Sequence, residues 1–319
     1  MADTEKGTLL MAKKTRLVTL DDERMPDLAT LFKMVFKRRF DPEDLRHKYD
    51  TSFLGMGDLA FMAFDGDRPI ASAGILPQRF ISKNRQWLGA QVCDLAALPE
   101  VRGTGLHSRL LTQALNNARE RGVDFFFTLP NDQAHRALDR AGFSWLDRMH
   151  GFQIPVVTIP LGRLGRRISL IGRFHSSITA RVLTRLSVSD SMRNSHATAG
   201  SLCVDYSRSY IDSKRRRPSA IIDAAGVPAW IAADGALEIG DLELMNIDHL
   251  GPTLQLLHRL AKRIGCSSLL FQCTRGQTLE RALSQRFTGF DSWPVGVLPC
   301  RPDVPIEELR LNFGDLDTF

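Results

Sequence analysis

The stretch of the chain richest in usable chemistry is Ala97-Leu98-Pro99-Glu100-Val101-Arg102-Gly103-Thr104-Gly105-Leu106-His107. It stands between a run that reads as a β-strand and the start of an amphipathic helix. Backbone N–H groups in the first turn of a helix lack intrahelical acceptors, and the aligned peptide dipoles add positive potential there. Such a terminus binds anions. Gly103 and Gly105 let the backbone approach a phosphate with no Cβ between, and Arg102 adds a planar cation with several donors. A Walker loop would require GxxxxGKS/T, and a dinucleotide fingerprint a third glycine and a later acidic residue; neither pattern is present. Taken alone, Arg-Gly-x-Gly also fits an ordinary glycine-rich turn from strand to helix.

The elements around this loop can be read from periodicity. Residues 21–50 give two short helices, with Met25, Leu28, Leu31, Phe32 and Val35 at helical spacing and Asp41-Pro42 restarting the pattern. Residues 58–82 alternate as a hairpin around Asp65-Gly66-Asp67, and Trp87–Leu98 is a further strand. Leu106, Leu110, Leu111, Ala114, Leu115 and Ala118 make one apolar helical stripe closed by Gly122. Val123–Leu129 is nearly all apolar, as in a strand covered on both faces. A helix over Asp132–Ala141 and a strand over Phe143–Met149 follow. The second half repeats this order faintly: an offset of 143 residues takes Gly122 to Gly265, and each half closes on a Gly-Phe pair, Gly142-Phe143 and Gly289-Phe290. The expected fold class is α/β (α+β), with two tandem mixed-sheet domains of which the second is degenerate.

With 319 residues, 43% of them hydrophobic and 24% charged, the chain has the composition of a globular protein and not of a fibrous or disordered one. The expected limits are a mobile lead over 1–15, a first domain over 16–158, an Arg-rich connection over 159–200 and a second domain over 201–319. No apolar run is long enough to span a bilayer, and the first residues have no secretory h-region. Five dispersed cysteines fit neither a disulfide framework nor a CxxC metal pair, so the reading is cytoplasmic and without a metal. A net charge of +6 is compatible with polyanionic partners. Nucleic acid is not expected, because the basic charge is spread over both halves with no stacking aromatics interleaved.

The string P-x-x-R-G-x-G-hydrophobic, followed by a helix and then by N-x-x-A and G-F after the next strand, resembles the GCN5-related N-acetyltransferase (GNAT) superfamily. Arg102 to His107 matches its Gln/Arg-x-x-Gly-x-Gly/Ala pyrophosphate loop except that His107 replaces the final small residue. The likeness covers about residues 20–158, and 219–298 by architecture only. It implies acetyl-CoA, or another acyl-CoA, as co-substrate. By that resemblance Ala97 and Leu98 hold the pantetheine and the thioester carbonyl. Arg102, Gly103, Thr104, Gly105, Leu106 and His107 hold the pyrophosphate, and Asn131 lies along the pantetheine arm. The tyrosine that often serves the superfamily as general acid falls at Leu138, so the usual acid is missing.

An attacking amine must lose a proton to a carboxylate or histidine within reach. Asp94, a charged residue in an apolar strand, is the first candidate base; strand alternation places it opposite Ala97 unless the strand bulges. His135, four residues after Asn131, is the second, with a solvent-exposed helix surface as its plainer reading. No Cys/His pairing supports an acyl-cysteine, so direct transfer is expected. Asp94 through Leu106, Thr128–Asn131 and His47-Lys48-Tyr49 together are similar to double-domain acyltransferases acting on amino groups of nucleotide-linked sugars. The first expected acceptor is therefore a small amine, an amino sugar foremost. A protein or peptide amine, favoured by an acidic open groove, is the alternative, and a non-catalytic CoA-binding protein a third. In the second half Asp248 and Pro252 stand where the loop should recur, which removes the anion site. Residues 156–188, with six arginines and no acid, are read as a helical clasp between the halves in preference to an attractor of an anionic nucleotide or a membrane-surface segment.

Overall fold

The computed structural model describes residues 15–319 apart from 84, 166, 167 and 216. Its first run is β1 (Thr15–Thr19), α1 (Met25–Phe36), α2 (Pro42–Tyr49), β2 (Phe61–Asp65), β3 (Arg68–Ser82), β4 (Arg85–Ala97), α3 (Leu106–Glu120), β5 (Phe125–Thr128), α4 (Asp132–Arg140) and β6 (Ser144–Leu146). The second is β7 (His150–Pro155), α5 (Leu161–Gly165), α6 (Ser169–Leu186), β8 (Ser187–Ser189), β9 (Cys203–Val204), α7 (Arg208–Ser213), β10 (Ser219–Asp223), β11 (Pro228–Ala233) and β12 (Leu237–Leu242). It ends with α8 (Leu250–Arg263), β13 (Ser268–Cys273), α9 (Thr278–Ser284), β14 (Phe290–Asp291) and β15 (Val295–Pro299). The expected lead over 1–15 lies outside the described residues except for Thr15, which already pairs with Asp65 in β1. No helix among the described residues is long and apolar enough to cross a membrane.

The chain divides into two compact units. The first holds the residues up to Arg79, then Trp87–Leu146 and Val295–Val304. Its sheet runs β1-β2-β3-β4-β5-β15-β6, with β4 and β5 parallel. Phe125, Phe126 and Phe127 are fully buried, as an apolar strand covered on both faces requires. The predicted stripe of α3, Leu106 through Ala118, is the buried face of that helix. One strand comes from far along the sequence: β15 lies between β5 and β6, pairing Gly296 with Thr128 and with Trp145. Periodicity cannot reveal this, because it describes a strand and not its partner.

The second unit holds Phe80–Gln86, Asp147–Pro294 and Pro305–Phe319, and its sheet runs β14-β7-β13-β12-β11-β10-β8. The division thus falls after Leu146 and not at 158, since β7 pairs with β13 along its whole length. Residues 159–200 likewise belong to this unit. α6 buries His175, Thr179 and Leu183, four residues apart, and packs on β10. The expected clasp is a covering helix of one sheet; Arg166 and Arg167 lie outside the described residues.

In this second sheet the parallel pair β12 and β13 is matched from Leu237 with Leu269 to Ile239 with Phe271. Past that point the segment Leu311–Phe319 fills the space. Thr274 N–H donates to Leu311 O (2.9 Å), Asn312 bridges Cys273, and the Phe319 ring lies where a Cβ on Gly240 would be. Tyr210 Oη donates to Gly314 O (3.3 Å) and Lys214 Nζ to Leu316 O (2.8 Å). Two carboxyl groups are wholly buried here, and burial pushes Asp241 up to about 8 and Asp315 up to about 7. A carboxyl that titrates higher in the folded chain keeps a proton that the unfolded chain has lost. Stability therefore falls as pH rises from about 4 to about 8. Thermal melts at a series of pH values across that window should show this slope, and Asp241→Asn should flatten it.

Candidate active site

The pairing of β4 with β5 runs from Gly89 with Phe125 to Val92 with Thr128, and Thr128 Oγ1 donates to Val92 O (2.9 Å) at its end. β4 continues to Ala97 beyond the last matched pair, which leaves an opening between two parallel strands. At its mouth Asp94 has φ = +50°, a left-handed conformation rare for a residue with a side chain. That conformation interrupts the regular strand geometry at Asp94. Asp94 is held on both sides. Its carbonyl accepts from Ser72 Oγ (2.9 Å), and its Oδ2 accepts from Tyr49 Oη (2.7 Å) and Lys48 Nζ (2.7 Å).

Tyr49 reaches Asp94 because position 74 is glycine: a Cβ there would stand 2.3 Å from the Tyr49 hydroxyl. Tyr49, forty-five residues before Asp94, and Lys48 beside it come from the end of α2 and were not among the expected site residues. Their only sequence signal was the His47-Lys48-Tyr49 tripeptide. Tyr49 also borders a cleft of about 1020 Å³ whose wall carries six carboxylates, Asp21, Asp22, Glu23, Glu43, Asp50 and Asp58, against Arg46 and His47. Ser52, through its side chain and its amide, holds the Asp50 carboxyl below the usual carboxylate value.

The loop after β4 has the anticipated form. Gly103 and Gly105 adopt φ = +78° and +80°, and nothing lies within 4 Å of where a Cβ on either would be. The first helical bond of α3 runs from Arg109 N–H to Gly105 O (3.1 Å). The amides of Leu106, His107 and Ser108 come before it, and among the described residues only a long contact from Leu106 to Thr104 Oγ1 (3.4 Å) occupies one of them. No acidic residue stands in the first turn. Arg102 is exposed, with Nε donating to Ala97 O (3.2 Å), and nearby Glu100 is tied to Arg68 (2.6 Å).

Other expected residues are placed differently. The Leu98 side chain is buried and its N–H donates to Ile70 O (3.0 Å), so that amide is committed. The His107 ring is turned toward the backbone of Ser72, and burial pushes its pKa down. Its side chain is a neutral part of the packing, whereas its backbone N–H remains in the loop. Asn131 caps α4, with Oδ1 accepting from Ala134 N–H (3.1 Å). Leu138 is fully buried in the first core and supplies no acid. His135 bonds Asp139 (3.1 Å) and stacks on Trp145, with centroids 3.9 Å apart. Trp145 Nε1 also donates to Asp139 (2.7 Å), so these three form a surface cluster that no contact among the described residues joins to Asp94.

A family model for the acetyltransferase (GNAT) domain matches residues 16–145. Solved structures share the fold over most of the chain. A putative acetyltransferase from Pyrococcus horikoshii covers 95% of this chain and 94% of its own, with a TM-score of 0.58 and 13% identity. A probable N-acyltransferase from Enterococcus faecalis V583 covers 89% of this chain and 72% of its own, with a TM-score of 0.59 and 13% identity. A GCN5-related N-acetyltransferase from Sphaerobacter thermophilus covers 91% and 97%, with a TM-score of 0.53 and 14% identity. No curated protein matches the sequence. Residues 16–145 thus match the acetyltransferase (GNAT) domain model, and the chain shares the fold of these solved structures.

Gly74→Ala should push the Tyr49 hydroxyl off Asp94 and cost about 1–3 kcal/mol as an overpacked site. In urea unfolding its effect should be non-additive with Tyr49→Phe, because both remove one contact.

Proposed function

We propose that the chain is an acyl-CoA-dependent N-acyltransferase, with acetyl-CoA the expected donor, acting by direct attack of an amine. The observation that carries this reading is the coincidence of an open strand pair, a left-handed Asp94 at its mouth and a run of uncommitted amides at the start of α3. Arg102, Gly103, Thr104, Gly105 and the amides of Leu106 and His107 would receive the diphosphate. Ala97 would line the pantetheine arm, and Asn131, whose Oδ1 serves as a cap, keeps its Nδ2 donor for the same arm. Leu98 contributes apolar wall.

Asp94 is the proposed base. As the new C–N bond forms and the C–S bond breaks, the amine proton passes to Asp94 and the departing sulfur takes one from Tyr49. The short bond between Tyr49 and Asp94 returns a proton to the phenol, so both groups recover their starting state. His135, committed to Asp139 and Trp145, has no part in this scheme. One cofactor site per chain is expected, since Leu311–Phe319 occupies the corresponding opening of the second sheet.

An amino sugar remains a reasonable acceptor where it carries no anionic nucleotide. The carboxylates around the cleft beside Tyr49 disfavour a nucleotide diphosphate and favour a cationic amine, including the amino group of a peptide. Cys203, Cys266, Cys273 and Cys300, none of them in a disulfide, support a reducing, cytoplasmic setting.

Calorimetric titration should show one acetyl-CoA bound per chain. Arg102→Glu with Gly105→Asp should weaken it at least tenfold, and unchanged affinity would sink the cofactor assignment. Thiol release measured over amino sugars, nucleotide-linked amino sugars, polyamines and basic peptides identifies the acceptor. With the best acceptor, Asp94→Asn should lower kcat by roughly 10²–10⁴ while leaving acetyl-CoA affinity within a few-fold.

A further inference from the structure

The Arg-rich stretch leaves a surface unexplained by acyl transfer. Of the exposed large apolar side chains among the described residues, half lie between Val157 and Phe174. Val157 is 87% exposed, Ile159 70%, Leu170 76% and Phe174 66%, with Ile168 and Leu164 beside them in sequence. No acidic residue occurs from Arg148 to Ser189. An apolar group of this density is uncommon on a protein that meets only water.

The exposure is a consequence of how α5 and α6 are seated. A Cβ on Gly165 would stand 2.7 Å from the Gly172 backbone, and one on Gly162 2.5 Å from the Gly235 backbone. These close approaches clamp α5 against both α6 and the turn before β12. α6 in turn is pinned by His175, whose Nε2 bonds Ile264 O (2.7 Å). The buried stripe of α6 is His175, Thr179 and Leu183; the opposite side presents Leu170, Arg173, Phe174, Ser177, Arg181 and Arg185 to solvent. Apolar and cationic side chains therefore share one outward face of a helix that its inward face holds in place. At the end of α6, Arg185 with Arg259 and Arg263 borders a further cavity of about 470 Å³.

We infer that this face docks on an anionic lipid surface, with Leu170, Phe174 and their apolar neighbours entering the acyl boundary and the arginines meeting headgroup phosphates. The match is one of charge and depth: an interfacial helix carries apolar and cationic side chains in this arrangement, and each cation near an anionic leaflet adds attraction. A second copy of the chain fits less well, since its own arginines would be brought against these. The inference concerns the second unit and is independent of the acyl-transfer assignment.

The test is flotation of the full chain with vesicles of phosphatidylcholine alone and with phosphatidylcholine and phosphatidylglycerol at roughly seven to three. Binding is expected to the second kind only and to fall with added salt. Arg173→Gln, Arg181→Gln and Arg185→Gln should each lower the partition coefficient by roughly fivefold, and Leu170→Ser with Phe174→Ser should abolish it. Arg38→Gln with Arg39→Gln, in the first unit, should change it little; circular dichroism confirms that all variants fold, as exposed positions allow. Equal binding to both vesicles, an unaffected serine pair, or an equal loss in the Arg38/Arg39 control would overturn the inference. So would a serine pair that lowers the sedimenting mass without altering vesicle binding, which would make the face a contact between copies.

Discussion

A parallel strand pair that stops pairing early is the constraint on which the rest of this molecule depends. Hydrogen bonds between β4 and β5 end at Val92 and Thr128, and every backbone group beyond that point needs another partner or a ligand. The left-handed turn at Asp94 makes the separation a built feature, because a residue with a Cβ adopts it only when its surroundings compel it. Here the compulsion is visible: Ser72 holds the carbonyl, while Lys48 and Tyr49 hold the carboxylate. α3 begins after the loop that follows β4, with no side-chain cap on its N-terminus and, among the described residues, only a long contact from Leu106 N–H to Thr104 Oγ1 (3.4 Å).

The two units treat an equivalent opening in opposite ways. In the first, the loop before α3 is glycine-rich and free of acidic residues in the helix's first turn. In the second, the space beyond Ile239 and Phe271 is closed by the chain itself, through the Asn312 bridge to Cys273 and the Phe319 ring against Gly240. Closing it buries Asp241 and Asp315 at the expense of their ionisation. A sheet whose opening is filled by its own chain is suited to support and to covering surface, and it is on this second unit that the exposed apolar and arginine face of α6 lies.

Much was legible in advance because it is local. Helical stripes, the Asp-Gly hairpin, the all-apolar β5 and the Arg-Gly-Thr-Gly loop each depend on residues a few positions apart, whose spacing periodicity reports directly. What escaped was non-local. Tyr49 and Lys48 meet Asp94 from a distant helix, and Gly74, which makes room for the phenol, looks in sequence like any other small residue in a strand.

The sequence by itself therefore determined the order of elements, the existence of a glycine-rich turn at Arg102–His107 ahead of a helix and the lack of a tyrosine at position 138. Tertiary structure alone decided that β15 enters the first sheet, that Asp94 is left-handed within its strand, that His107 and Leu98 are spent on internal bonds, and that His135 belongs to a surface cluster. The reason is physical. Propensity and patterning act over one or two turns of chain, whereas the direction of a side chain and the partner of a strand are settled by whichever distant groups satisfy the remaining hydrogen bonds and fill the remaining volume.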